Sequence, residues 1–362
     1  MEQKEIQRKN WIDAAKGIAI LIVALNHSGL VIPGINFWGG MFYVPAFFLL
    51  AGYTYTQKEE TYCNYVKRKA KRLLVPYFGA NLLLFLFFLI KDLLSGSFQL
   101  SKTLISLLGI FYGRTQLIKT GEGLVIFEAP IPDRSMMLNL NAPTWFLPAL
   151  FLVLVSTEGL YRLMKGNKKK VHLFAAVFSF TMLLYHYLSP FLLPWCVDIL
   201  PFLIGFFLIG HEFREGCYFE KLEEINMSLK IPILTGIILI AAGSSLFNGS
   251  SNLSVSYFGK SVAICMISAV STSYLLFLVL RWTERQLPKA TAFVGRLGRH
   301  TLTILCYHYF VMQMFLAAAG AAMPEAAESA GIPKAVLQLC SIVISVAACV
   351  VLDIIYQKIT KD

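Results

Sequence analysis

Three residues able to do chemistry stand close together in one apolar stretch, WIDAAKGIAILIVALNHSG at 11–29: Asp13, Lys16 and His27. Ionisable side chains in such a stretch cost several kcal/mol unless paired or solvated, so each is a functional candidate by default. A neutral imidazole can act as a general base toward a hydroxyl or as a nucleophile that carries a group. Lys16 and His27 are eleven positions apart. At about 100° per residue this is three helical turns plus roughly 20°, which puts both on one face about 16 Å apart. Asp13 precedes Lys16 by three positions and can pair with it. Plainer readings remain beside these. Asp13 and Lys16 can sit at a membrane interface with the lysine snorkelling, and His27 can be a core histidine bonded to a carbonyl.

Two further ionisable residues fall inside apolar segments: His308 in LTILCYHYFVMQ and Asp198 in DILPFLIG. His186 and His211 lie nearer segment ends, and Trp145 opens an apolar run in NAPTWFLPAL, where tryptophan also serves as an interface anchor. The run KRKAKR at 67–72 contains Arg68, Lys69 and Arg72. Such density suits a phosphate-bearing ligand, and it equally suits charge that fixes topology. The seven cysteines are scattered with no CxxC pair or metal-ligand spacing, so neither a disulfide framework nor a metal is expected.

The elements that must position these residues are membrane spans. Of 362 residues 57% are hydrophobic and 15% charged, against about 25% charged in an average soluble domain. The expected fold is an all-α integral membrane protein, a bundle of about ten transmembrane helices. The apolar runs lie near 12–31, 38–55, 74–91, 143–163, 171–189, 194–211, 231–248, 260–280, 300–319 and 335–356. Lys and Arg collect in alternate connections (67–72, 162–170, 211–230 and 281–299), which predicts both termini on the cytoplasmic side. The net charge of +11 therefore reports topology, and no nucleic-acid partner is expected. The N-terminus has no small-residue cleavage site, so the first span is expected to stay. The long connection 92–142, with its apolar piece SKTLISLLGIFYG, is expected to fold over the outer mouth. Residues 1–362 are read as one domain.

Taken in order, several segments resemble the acyltransferase-3 family of membrane acyltransferases, in particular its fucose 4-O-acetylase-like branch. They are D-x-x-K-G-I-A-I with Lys-x10-His (Asp13, Lys16, His27), F-Y-V-P-A-F-F-L-L-A-G-Y at 42–53, and K-R-K-A-K-R-L-L-V-P-Y at 67–77. T-W-F-L-P-A-L at 144–150, D-I-L-P-F-L-I-G-F-F-L-I-G at 198–210 and L-G-R-H-T-L-T-I-L-C-Y-H at 297–308 complete the set. The resemblance implies transfer of an acyl group, usually acetyl from acetyl-CoA, to a hydroxyl on a carbohydrate or other cell-envelope acceptor at the plasma membrane. His27 matches the family's histidine and Lys16 its basic partner, with Asp13 beside them as the catalytic group. Arg68, Lys69 and Arg72, with Trp145, are assigned to the acyl-CoA donor. Lys69 stands where the family often shows arginine. His308 and Asp198 are assigned to the acceptor. The chain is expected to carry no fused extracellular domain, and so to act alone, as a homo-oligomer, or with a separate envelope protein. The rival readings are a proton-coupled secondary transporter, which commonly shows internal repeats, and a non-catalytic membrane protein of envelope assembly.

Overall fold

The computed structural model describes residues 9–118, 141–324 and 331–359. The fold is all-α; the β pairings among these residues are isolated bridges. The helices are α1 (Asn10–Ser28), α2 (Ile35–Phe42), α3 (Pro45–Tyr53), α4 (Tyr62–Leu94), α5 (Leu100–Tyr112), α6 (Phe146–Leu163) and α7 (Lys168–Leu188). They continue as α8 (Leu200–Glu215), α9 (Tyr218–Glu224), α10 (Met227–Asn248), α11 (Val262–Gln286), α12 (Pro288–Arg299), α13 (Thr301–Ala322) and α14 (Ile332–Ile359).

Eight helical segments among the described residues are long and apolar enough to cross a membrane, or nine if α2 and α3 form one broken span. The apolar runs read from the sequence fall on helices, with 38–55 broken between α2 and α3 and 194–211 opening in a turn before α8. α1 lies outside the eight: its 19 residues include Asp13, Lys16, Asn26 and His27, which dilute its hydropathy. Leu173, Phe180, Leu239 and Leu246 on α7 and α10 are all more than half exposed. Rows of exposed large apolar side chains are what a lipid-facing surface requires. The piece SKTLISLLGIFYG forms α5, and residues 119–140 of the expected outer loop lie outside the described residues.

The chain divides into two compact units. The first comprises 1–47, 219–247 and 267–362, and the second 48–218 and 248–266. In the first unit α1 packs on α12 through glycine. A methyl group on Gly17 would lie 2.7 Å from the Val294 carbonyl oxygen, and one on Gly298 would overlap the Asp13 carbonyl. α1 stops at Gly29, whose φ of 75° is the left-handed cap conformation that glycine adopts without strain. In the second unit α3 and α8 meet in the same way, Gly52 against the Phe207 carbonyl and Gly210 against that of Leu49. α4 begins where the Thr61 hydroxyl accepts from the Asn64 N–H. Its side chains tie it to α6 and to the turn before it: the Tyr62 hydroxyl donates to the Val155 carbonyl of α6, and the Asn81 amide to the hydroxyl of Thr144, two residues ahead of α6.

Candidate active site

The candidate site belongs to the first unit and is strung along α1. At the start of the helix Trp11, 1% exposed, is enclosed by Phe219, Phe277 and Arg281. Two residues on, Asp13 is also buried, with its carboxylate 3.6 Å from the Lys16 ammonium and 3.9 Å from the Arg299 guanidinium. The local pair expected from the sequence is therefore part of a triad. The third member comes from α12, and the close backbone contact at Gly298 is what brings Arg299 within reach.

His27 lies in the last turn of the same unbroken helix and is half-buried. Its ring centre is 5.5 Å from that of His308 on α13 and 5.3 Å from Tyr309. His308 is 0% exposed, and its Nδ1 is 2.6 Å from the Ile304 carbonyl oxygen. A carbonyl can only accept, so Nδ1 carries the proton and Nε2 carries the lone pair. Nε2 has no hydrogen-bond partner among the described residues. Apolar packing of Ala24, Leu25, Met312 and Ile342 adjoins the pair. The turn after α1 is pinned in place: Asn36 donates to Asn26 Oδ1 at 2.9 Å and to the Leu30 carbonyl at 3.1 Å, and accepts from the Ile32 N–H at 2.7 Å. The sequence thus delivers a helix end held on both sides of the histidine.

A second cluster in this unit lies outside the candidates that the sequence offers. His300, the single residue between α12 and α13, has Nδ1 2.5 Å from an Asp353 oxygen, and the same carboxylate accepts from Thr303 and Gln357. Asp353 stands alone among apolar residues in VVLDIIYQ, a signal that could have singled it out.

The residues assigned to the donor lie in the second unit. Arg68 donates to Glu60 at 2.5 Å and, like Lys69, sits over the Tyr65 ring. The hydrogen bond from Arg68 holds the Glu60 carboxyl below the usual carboxylate range. Arg72 is exposed. Trp145 is not brought to this run. It follows Thr144, the partner of Asn81, and Asn81 lies nine residues beyond Arg72, about 13 Å along the axis of α4. Asp198, expected at the acceptor, is engaged by the protein itself. One carboxylate oxygen accepts from Arg114 and the Leu193 N–H, the other from the Ser256 hydroxyl. Arg114, 0% exposed, also donates to the Leu193 and Ser254 carbonyls. This ion pair fastens a stretch in which Trp195, Cys196 and Ser256 hold left-handed backbone conformations, each a strain that needs surrounding support.

Fold and site together define the class: a multi-pass, all-α membrane protein with two histidines in contact between its helices. Within that class the chain belongs to the acyltransferase-3 family, whose profile, described as an acyltransferase domain, matches residues 9–354. No curated protein and no solved structure matches the chain. The protein is accordingly an acyltransferase of the membrane.

Proposed function

We propose that the protein moves an acyl group, acetyl in the first instance, from acyl-CoA to a hydroxyl of a cell-envelope carbohydrate, with His27 acting at the reacting carbon. The observation that carries this reading is the contact of His27 with His308 at the far end of the helix that carries the Asp13–Lys16–Arg299 triad. Acyl transfer to a hydroxyl needs a proton acceptor or an acyl carrier, and neutral imidazole supplies either. Lys69 and Arg72 give the donor's phosphates cationic partners, while Arg68 is already committed to Glu60. With the basic connections on the cytoplasmic side of the plasma membrane, α1 runs outward from that side. His27 then stands toward the face from which an envelope acceptor arrives. The fucose 4-O-acetylase-like motifs support a sugar hydroxyl as acceptor.

Membranes from expressing cells, incubated with radiolabelled acetyl-CoA, test the reading. Label is expected in the envelope glycan with the parent chain and not with His27→Ala. Equal labelling by the two chains overturns the role of His27. Uptake of a solute into vesicles without any acyl transfer favours a carrier instead.

A further inference from the structure

Two imidazoles touch where a single-base mechanism needs one, and they differ in kind. His27 is half-buried and in the last turn of its helix, so it is the ring that an incoming thioester can reach. His308 is wholly buried, with its tautomer set by the Ile304 carbonyl and a lone pair on Nε2 that no described residue uses. A buried lone pair without a partner is costly unless a reacting group fills that role. We propose that His308 is a second catalytic residue, whose Nε2 takes the proton of the acceptor hydroxyl while His27 carries the acyl group.

The proposal rests on the acyl-transfer reading and divides it into two balanced steps. In the first, a His27 ring nitrogen bonds to the thioester carbon and the C–S bond breaks. The departing thiolate takes the ring's own N–H proton, leaving a neutral acyl-imidazole and a free thiol. In the second, the acceptor oxygen bonds to the same carbon as Nε2 of His308 takes its proton, and the C–N bond to His27 breaks. His27 leaves as an imidazolide, which takes the proton from the imidazolium of His308, its neighbour at 5.5 Å between ring centres, and both rings return to their neutral starting state. The fixed tautomer matters because it keeps the lone pair on Nε2 in every cycle.

The test uses the full chain in membranes of expressing cells with radiolabelled acetyl-CoA, counting label on the glycan and on the chain itself. With His308→Gln, glycan labelling is expected to fall by about 10²–10⁴, the range of a lost general base, while label persists on the chain. With His27→Ala neither is labelled. A purely structural role for His308 would reduce both labels together. His308→Asn provides a second variant, and thermal unfolding of the detergent-solubilised chains shows that each is folded. Unchanged glycan labelling by a folded His308 variant overturns the proposal, as does a folded variant whose chain takes up no label. If the parent chain transfers no label at all, the acyl-transfer reading itself fails, and the proposal with it.

Discussion

Gly298 and Asp13 meet backbone to backbone: a methyl group on Gly298 would overlap the Asp13 carbonyl oxygen. Neither atom belongs to a side chain that can swing away. Gly298→Ala must therefore push α12 off α1 and carry Arg299 away from the Asp13 carboxylate. Overpacking of this kind costs about 1–3 kcal/mol, so a lower Tm in detergent is expected together with a reduced transfer rate. Gly243→Ala on α10, with nothing within 4 Å of the added carbon, should leave both unchanged.

Asp198 separates stability from catalysis. Its pair with Arg114 is 1% and 0% exposed, and removing one partner of a buried pair leaves an uncompensated charge at a cost of about 3–5 kcal/mol. Asp198→Asn is expected to lower Tm sharply. The double replacement of Arg114 and Asp198 by leucine should recover part of that loss, because no buried charge then remains. Loss of transfer by Asp198→Asn at an unchanged Tm would instead return the residue to the acceptor site.

Arg72 should act on donor binding. A charge-assisted hydrogen bond is worth about 1.5–3 kcal/mol, so Arg72→Ala is expected to raise KM for acyl-CoA roughly 10–100-fold. Little change in kcat should accompany it, the pattern of an interaction made equally in ground and transition states. Steady-state assays over a range of acyl-CoA concentration check this.

Glu223 gives a signed pH dependence. Burial alone would raise its carboxyl, but hydrogen bonds from Arg285 and Arg281 outweigh that and hold it below the usual carboxylate range. A depressed folded value contributes stability above the unfolded value, and the contribution is lost as pH falls through the folded one. Glu223→Gln is thus expected to lower Tm at neutral pH and to have no effect once both states are protonated. Melting curves at the two conditions decide it.

Much of this was legible in the sequence for local reasons. Hydropathy located the helices, because a span must be both apolar and long. The i, i+3 spacing of Asp13 and Lys16 became a real contact, and the position of His308 in an apolar run marked it. What stayed hidden depends on contacts between distant segments. Arg299 reads as topogenic charge until α12 is seen against α1. The partner of Asp198, Arg114, lies 84 residues away and is not legible from the sequence. The sequence likewise does not show that the residue before Trp145 pairs with Asn81, nine residues beyond Arg72 on α4.

The corner between α12 and α13 has one more consequence. A single residue, His300, joins the two helices and is itself anchored by Asp353, so α12 and α13 grip α1 at fixed places, one at Gly17 and the other at His27. The ten residues between Lys16 and His27 therefore set a rotational phase as much as a distance. One extra residue inserted between Gly17 and His27 would leave the charged triad engaged and turn His27 about 100° away from His308, disengaging the rings like a shaft slipped by one tooth.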